Sequence, residues 1–297
     1  MPLPGTVRTA YVSGPVVYRD YGGEDLPPAV MIHGIGGAGI NWMLLAPLLT
    51  SRFHVMAPDL PGFGETPLAG RTADLDAQSD LVARFVEDVA GGPALLFGHS
   101  MGGMIAMLLG GRRPDLVHHE VLIDPAFPPT TSPAPGLPGT ALDILSSAPA
   151  LAGGFGRGLV RLRGAHTMVD ESFRLTCVND AALPAYFVAT HVAAEAARMR
   201  VAGAYVGYMQ AWRWLRDHFR RPAELEVLIR ADSVPTLLLH GNQDPVVPAA
   251  AAHRLAALQP SWATRFMEGV GHNPNFEAPA ETAAATLDWL DGDGFWG

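Results

Sequence analysis

The chain has 297 residues, of which 48% are hydrophobic and 16% charged, and its formal net charge is −9. This length is sufficient for one large α/β domain with an insertion or for two domains, and the composition excludes a disordered chain. Because no basic patch is available to neutralise phosphates, we expect neither nucleic acid nor an anionic membrane surface as a partner.

The first part of the chain, residues 1–127, predicts strands that alternate with helices. Apolar runs predict strands over 6–12, 15–18, 29–32, 53–57, 94–97 and 121–123, of which the first two form a hairpin. Apolar spacing predicts helices over 42–49, 80–89 and 104–109. Strands that alternate with helices indicate a parallel sheet covered on both faces, with its ligand beyond the carboxyl ends of the strands.

The pattern changes after residue 124. Proline, threonine and serine dominate 125–138, which predicts a hinge, and 140–221 shows helical spacing without strand alternation, most clearly over 186–200 and 204–219. Strands return over 236–239 and 265–267, and a helix is predicted over 280–290. We therefore predict a core built from 1–127 and 232–297, interrupted by a helical cap over 128–231 that is too long to be an ordinary connection.

A Gly-x-Ser-x-Gly motif is centred on Ser100, between an apolar strand-like run and an apolar helix-like run. A strand-to-helix turn this tight requires residues without bulk two positions before and after the serine, as Gly98 and Gly102 provide. The motif predicts a nucleophile elbow. The absence of lysine excludes Schiff-base chemistry and Ser-x-x-Lys catalysis, and the single cysteine, Cys177, excludes an intrachain disulfide.

A serine hydroxyl needs a base, and the base needs an acid to orient it. We predict His272, in a loop after the last strand, as the base, and Asp244, just past the preceding strand, as the acid. The order Ser100, Asp244, His272 matches the α/β-hydrolase pattern. Asp124, at the end of an earlier strand, stays open as an alternative acid.

Two backbone N–H groups are needed to stabilise an oxyanion. Met101 follows the nucleophile directly, and Ile35 lies in a glycine-rich loop after a strand, so we predict both as donors. His99 is interpreted as a structural hydrogen-bonding residue, and Asp59 as the residue that ties down its loop.

The motifs at 33–37, 59–64, 98–103, 241–244 and 271–272 resemble those of the α/β-hydrolase fold superfamily, and more closely its cap-bearing serine esterase and C–C hydrolase branch. The resemblance covers about 15–126 and 234–290. It implies a mostly parallel sheet flanked by helices, with an inserted helical cap. The cap itself resembles no family that we can assign.

The predicted function is hydrolysis of a small hydrophobic ester through an acyl-enzyme, without a metal or cofactor. The aromatic cap indicates an apolar pocket, for which we predict Gly34, Tyr186, Tyr208 and Trp212. The alternatives are C–C bond hydrolysis of a vinylogous diketone, a cofactor-free perhydrolase, and a hydrolase-like receptor. The N-terminal residues lack signal-peptide features, so we expect a soluble cytoplasmic protein whose partner is a small-molecule substrate.

Overall fold

A single eight-stranded sheet organises the computed structural model, which describes residues 3–129 and 149–292. The strands are β1 (Thr6–Tyr11), β2 (Pro15–Gly22), β3 (Pro28–Ile32), β4 (His54–Pro58), β5 (Ala94–His99), β6 (Val117–Ile123), β7 (Thr236–Gly241) and β8 (Ala263–Met267). Their order in the sheet is β1-β2-β4-β3-β5-β6-β7-β8. β2 pairs antiparallel with β1 and β4, and the other neighbours are parallel.

Helices cover the sheet and fill the connection between β6 and β7. They are α1 (Leu75–Phe85), α2 (Met101–Arg112), α3 (Pro149–Arg163), α4 (Ala165–Thr176), α5 (Ala185–Arg198), α6 (Ala204–Phe219), α7 (Pro222–Ala231), α8 (Ala249–Leu258), α9 (Pro274–Glu277) and α10 (Pro279–Gly292). Across 3–129 and 149–292, no helix combines the length and apolar character needed to cross a membrane.

Two predicted helices differ from the structure. The helix predicted over 42–49 is instead a pair of short 3₁₀ helices, Gly39–Trp42 and Ala46–Leu48, and Pro47 lacks the N–H that a continuous helix would use. The helix predicted over 80–89 begins earlier, because the Asp74 side chain accepts a hydrogen bond from Ala77 N at 3.0 Å and caps α1. α1 is then followed by a π-helical turn over Val86–Ala90.

The parallel strands β3, β4, β5 and β7 are buried on both faces, as predicted, whereas β8 at the edge of the sheet is partly exposed. In β3, Val30 and Ile32 belong to the core on one side of the sheet, whereas Ala29 and Met31 belong to the core on the other side. Successive side chains of a strand point to opposite faces, so a strand covered on both faces is apolar at every position. This explains why the strands appear in the sequence as unbroken apolar runs.

The described part of the insertion is helical, as predicted for the cap: α3 to α7 lie between β6 and β7 without an intervening strand. Much of the predicted hinge over 125–138 lies outside the described residues. The topological switch point lies between β3 and β5, which are neighbours in the sheet although β4 separates them in the chain. Open α/β sheets bind their ligands at such points.

Two buried carboxyl groups lie away from this point. Glu120 of β6 is fully buried and Asp232 is 3% exposed, and a Cβ on Gly110 would lie within 2.8 Å of an oxygen of each. Burial raises the pKa of Glu120 well above its ordinary value of 4.5, and the charge of Asp232 adds to the effect. Burial also raises the pKa of Asp232 to about 6.

These raised pKa values make stability fall as the pH increases. An acid whose folded-state pKa is raised contributes stability below its unfolded pKa and loses it as the pH rises through the folded value. We expect Glu120→Gln to raise the thermal midpoint by several degrees more at pH 8 than at pH 5, since one pKa unit is worth about 1.4 kcal/mol and 1 kcal/mol shifts a large domain by about 2–4 °C. Thermal melts of wild type, Glu120→Gln and the exposed control Glu224→Gln measure this difference. A change in thermal midpoint that is the same at pH 5 and pH 8 for Glu120→Gln would contradict the prediction.

Candidate active site

Ser100 lies at the turn between β5 and α2 with φ 52°, a strained left-handed value for a serine. The turn is tight because the two glycines that flank it lack side chains. A Cβ on Gly98 would lie 2.5 Å from the carbonyl oxygen of Gly102, and a Cβ on Gly102 would overlap the carbonyl oxygen of Ile32. The structure therefore has the strand-turn-helix geometry that the Gly-x-Ser-x-Gly motif predicts.

A continuous chain of hydrogen bonds connects Ser100 with a base and an acid. His272 Nε2 is 3.0 Å from Ser100 Oγ, and His272 Nδ1 is 2.7 Å from Asp244 Oδ2. Ser100 follows β5, Asp244 follows β7 and His272 follows β8, so all three lie at the carboxyl edge of the sheet. This geometry permits proton transfer from a serine hydroxyl to an imidazole whose orientation a carboxylate fixes.

Asp244 is held in its ionised form. Burial pushes the pKa of Asp244 up, but the hydrogen bond from His272, its electrostatic interaction with the carboxylate and the backbone N–H groups bring it below the ordinary 3.8. Those N–H groups belong to Val246 and Val247, which donate to Asp244 Oδ1 at 2.7 and 2.9 Å. Both oxygens of Asp244 therefore accept hydrogen bonds, and the carboxylate keeps a single orientation.

Asp124, the alternative acid, is close by but has other partners. Its Oδ1 accepts a hydrogen bond from Gly241 N at 2.8 Å and is 3.0 Å from His240 Nδ1. Burial raises the pKa of Asp124 well above its ordinary value, and the charge of Asp244 adds to this. The structure thus joins His272 to Asp244, whereas the Asp124 carboxyl beside them has a raised pKa and other partners.

Within 3–129 and 149–292, one group of side chains has the spacing that a metal ion would need. It consists of Asp124, Asp244 and His272, which each offer one ligand atom, and these atoms lie within 4.8 Å of one another. However, His272 Nδ1 and Asp244 Oδ2 are already hydrogen-bonded to each other. A cation would have to break that bond, so the donor set favours proton transfer over metal binding.

The main chain of His272 is fixed on both sides. Its N–H donates to the carbonyl oxygen of Thr176, at the end of α4, at 2.8 Å, and its carbonyl oxygen accepts from His99 Nε2 at 2.7 Å. Burial lowers the pKa of His99 to about 3, so this ring is neutral. The structure confirms the hydrogen-bonding role predicted for His99 and adds a contact from the cap to the base.

Glu277 clamps the loop that carries His272. Its Oε1 accepts from Asn273 N at 3.1 Å, and its Oε2 accepts from Gly271 N at 3.3 Å and from Val178 N, in the cap, at 2.8 Å. Sequence reasoning missed Glu277 and Thr176. Glu277 lies five residues after the histidine, and this local spacing is the signal that could have indicated a loop clamp; the Thr176 contact has no local signal.

The loop after β3 forms a tight turn beside Ser100. Gly37 N donates to Gly34 O at 3.0 Å, and Gly36 has φ 75°, which favours glycine at the third position of such a turn. Ile35, between them, lines the cavity above Ser100, whereas the Met101 side chain is buried in the core. Met101 directly follows Ser100 and Ile35 lines the cavity above it, and their role as oxyanion donors stays a prediction.

Buried polar side chains hold this loop in place. Asp59 Oδ1 accepts from Gly39 N at 2.6 Å and Oδ2 from Glu65 N at 2.7 Å, which confirms that Asp59 ties down its loop. His33 Nδ1 donates to Gly34 O at 2.7 Å, and burial lowers the pKa of His33 to about 4. The loop is therefore preorganised by hydrogen bonds between its main chain and the buried side chains of Asp59 and His33.

A cavity of about 550 Å³ lies between the cap and Ser100. Gly34, Tyr208 and Trp212 line it, as predicted. Tyr186 does not; it is 48% exposed. On α5 it is turned by ~140° from His191, which does face the cavity, so aromatic character alone identified the wrong side of the helix.

Sequence reasoning also missed the polar residues of the cavity. His191, Glu195 and Arg198 of α5 line it, at spacings of four and three residues that place them on one helix face. That spacing was visible in the sequence, but an alternation of charged and apolar residues is also typical of a solvated helix. Arg157, Arg161 and Arg163 of α3 are not among the residues that line the cavity in the described part of the chain.

Comparisons with known proteins agree with this geometry. The model of the alpha/beta hydrolase family matches residues 29–285. The 2-hydroxy-6-oxo-6-(2'-aminophenyl)hexa-2,4-dienoic acid hydrolase of Metapseudomonas resinovorans is 30% identical over 275 residues, covering 89% of this chain and 83% of that protein. The pimeloyl-(acyl-carrier protein) methyl ester esterase of Aeromonas hydrophila is 29% identical over 256 residues, which cover 86% of this chain and 92% of that protein.

The solved structures show the same likeness. The crystal structure of a membrane phospholipase A aligns with a TM-score of 0.75 at 28% identity, over 98% of this chain and 87% of that chain. The family match extends over most of the chain, and the relatives in these comparisons include esterases and C–C hydrolases. On the strength of the family match, the fold and the chain Ser100–His272–Asp244, this protein belongs to the α/β-hydrolase family and is a hydrolase.

Proposed function

We propose that this hydrolase cleaves small hydrophobic carboxylic esters, with Ser100 as nucleophile, His272 as base and Asp244 as the acid that orients it. The observation that carries the proposal is the hydrogen-bonded chain of these three residues at the floor of a closed-over cavity. The esterase and lipase relatives support ester cleavage as the reaction.

The geometry suits acyl transfer through a covalent intermediate. His272 Nε2 takes the proton of the Ser100 hydroxyl while its oxygen attacks the ester carbonyl carbon, and the N–H groups of Ile35 and Met101 stabilise the oxyanion. The C–O bond to the alcohol then breaks, and His272 gives the proton to the leaving oxygen. A water molecule attacks the acyl-enzyme by the same route, His272 returns the proton to Ser100, and the carboxylic acid leaves.

The cavity lining favours an apolar substrate. Leu159, Met168, Phe173, Met209 and Phe276 contribute apolar side chains to it. A volume of about 550 Å³ is within the range of small-molecule sites and exceeds what an acetyl ester fills. We therefore expect esters of medium-length or aromatic acids to be better substrates than acetates.

A second candidate is C–C bond hydrolysis. The Metapseudomonas resinovorans relative is a hydrolase of a dienoic acid, and it aligns over 89% of this chain. A dienoic acid is anionic, whereas a simple ester is neutral, so the charge of the cavity bears directly on the choice between the two candidates.

Covalent labelling tests the proposed nucleophile directly. A fluorophosphonate ester should react once per chain, release fluoride and form a bond between phosphorus and Ser100 Oγ, with a parallel loss of p-nitrophenyl ester hydrolysis. Ser172 provides an internal control, because this exposed serine lines the same cavity without a hydrogen-bonded base. Peptide mass spectrometry that finds the label on Ser172, or activity that persists after complete labelling of Ser100, would contradict the proposal.

A further inference from the structure

The cavity has one polar wall, formed by α5 and the facing helix α6. His191, Glu195 and Arg198 face the cavity from α5, and Tyr205 and Trp212 face it from α6. The wall includes a positive and a negative side chain, both shielded from solvent: the side chains of Arg198 and Glu195 are 15% and 12% exposed. Charges in such a place act strongly on any group that enters the cavity.

The guanidinium of Arg198 is occupied by the protein itself. Its Nη1 is 3.3 Å from Glu195 Oε2, and its Nη2 donates to the carbonyl oxygen of Gly36 in the oxyanion loop. Glu195 Oε1 accepts a further hydrogen bond from the Tyr205 hydroxyl at 3.3 Å. The positive charge is therefore balanced by Glu195, and both Nη atoms of the guanidinium already have a partner.

The rest of the wall is uncharged. His191 Nδ1 donates to Phe187 O at 2.9 Å, and burial lowers the pKa of His191 to about 4, so the ring is neutral and its Nε2 is a hydrogen-bond acceptor. Burial also raises the pKa of Tyr205 to about 12. Within the described residues, His191 Nε2, Arg198 Nε and Trp212 Nε1 are buried without a partner. One hydrogen-bond acceptor and two N–H donors are thus available to a ligand in the cavity.

We propose that Glu195 sets the substrate specificity of this site: it neutralises Arg198, so that the cavity accepts uncharged acyl groups and rejects acyl groups that end in a carboxylate. A carboxylate could pair with both Nη atoms of Arg198 only by displacing Glu195 or Gly36. At the unpartnered Nε it would meet the negative charge of the nearby Glu195. A neutral oxygen can meet the unpartnered N–H groups without such a cost. This inference rests on the proposed function and favours esters over dienoic acids.

Two esters of matched shape test it. The acyl groups of p-nitrophenyl 5-methylhexanoate and mono(p-nitrophenyl) glutarate have the same number of heavy atoms, and only the second is anionic. We expect wild-type kcat/KM to be at least ~10-fold higher for the neutral ester, where tenfold corresponds to about 1.4 kcal/mol. Glu195→Gln should shift the ratio at least ~10-fold toward the glutarate ester, and adding Arg198→Met should reverse this shift.

The matched control is Glu171→Gln, which removes an exposed carboxylate of α4 that pairs with Arg163 outside the cavity. It should leave the ratio unchanged. A wild-type enzyme that hydrolyses both esters equally, or a Glu195→Gln variant with the wild-type ratio, overturns the inference while leaving ester hydrolysis by Ser100 intact.

A binding measurement separates the inference from the proposed function. If wild type hydrolyses neither ester, the proposed function fails, and titration of tryptophan fluorescence with methyl 5-methylhexanoate and with monomethyl glutarate decides the inference alone. Tighter binding of the neutral ester, lost in Glu195→Gln, supports it. Equal binding of the two esters overturns it.

Discussion

Replacing Ser100 with alanine is expected to lower kcat for p-nitrophenyl ester hydrolysis by at least ~10⁴-fold, since removal of a catalytic serine has the largest effect among triad substitutions. The hydroxyl is the atom that bonds to the acyl carbon, and no other side chain in the described residues is hydrogen-bonded to His272 Nε2 in its place. Pre-steady-state kinetics with substrate in excess should also lose the burst that marks an acyl-enzyme.

The control for this experiment is Ser172→Ala. Ser172 lines the same cavity, so its loss changes the cavity by one hydroxyl without touching the Ser100–His272 pair. We expect activity within ~3-fold of wild type, as is usual for a substitution away from buried networks. Retention of hydrolysis in Ser100→Ala with an unchanged melting temperature would show that another residue carries the reaction.

Replacing Asp244 with asparagine is expected to lower kcat by roughly 10³–10⁴-fold, as the loss of a triad acid does elsewhere. The structure gives the reason. Oδ1 accepts two backbone N–H groups, from Val246 and Val247, so an asparagine must place its oxygen there and its NH₂ toward His272 Nδ1. Nδ1 then accepts a hydrogen bond, the proton moves to Nε2, and Nε2 can no longer take the proton of Ser100.

Asp124→Asn is the comparison that tests the alternative acid. Because burial raises the pKa of the Asp124 carboxyl well above its ordinary value, an uncharged amide is a close substitute, and it can still accept the N–H of Gly241. We expect less than a ~10-fold loss of kcat, since no change of tautomer at His272 follows. If Asp124→Asn proves the more damaging of the two substitutions, the assignment of Asp244 as the acid is wrong.

The sequence was sufficient to predict the sheet and the meeting of Ser100, His272 and Asp244 because both have local signals. Apolar runs mark β3 and β5 since both faces of these strands are covered, and Gly98 and Gly102 mark the elbow since a Cβ there would meet main-chain oxygens. Asp244 and His272 follow the ends of two strands, so their meeting is a consequence of parallel topology. The helix boundaries near Asp74 and Pro47 depend on single caps and missing donors, which periodicity does not reveal.

The cavity could not be predicted in the same way. Which face of α5 points toward Ser100 depends on how α5 packs against the core, and Tyr186 was placed on the wrong side for that reason. The balance between Glu195 and Arg198, and the orphan nitrogen atoms around them, arise only from three-dimensional neighbours. Specificity is therefore the part of this protein that its motifs do not encode.

The contacts between Thr176, Val178 and the His272 loop have a mechanical consequence. Thr176 O in the cap accepts the N–H of His272, and Val178 N donates to Glu277. The cap segment and the His272 loop are so close that a Cβ on Gly271 would lie 2.7 Å from Thr176 O. Lifting this end of the cap would remove an anchor of the base. Moving this end of the cap would therefore break two hydrogen bonds that hold the His272 loop, so the position of the cap and the position of the imidazole are linked.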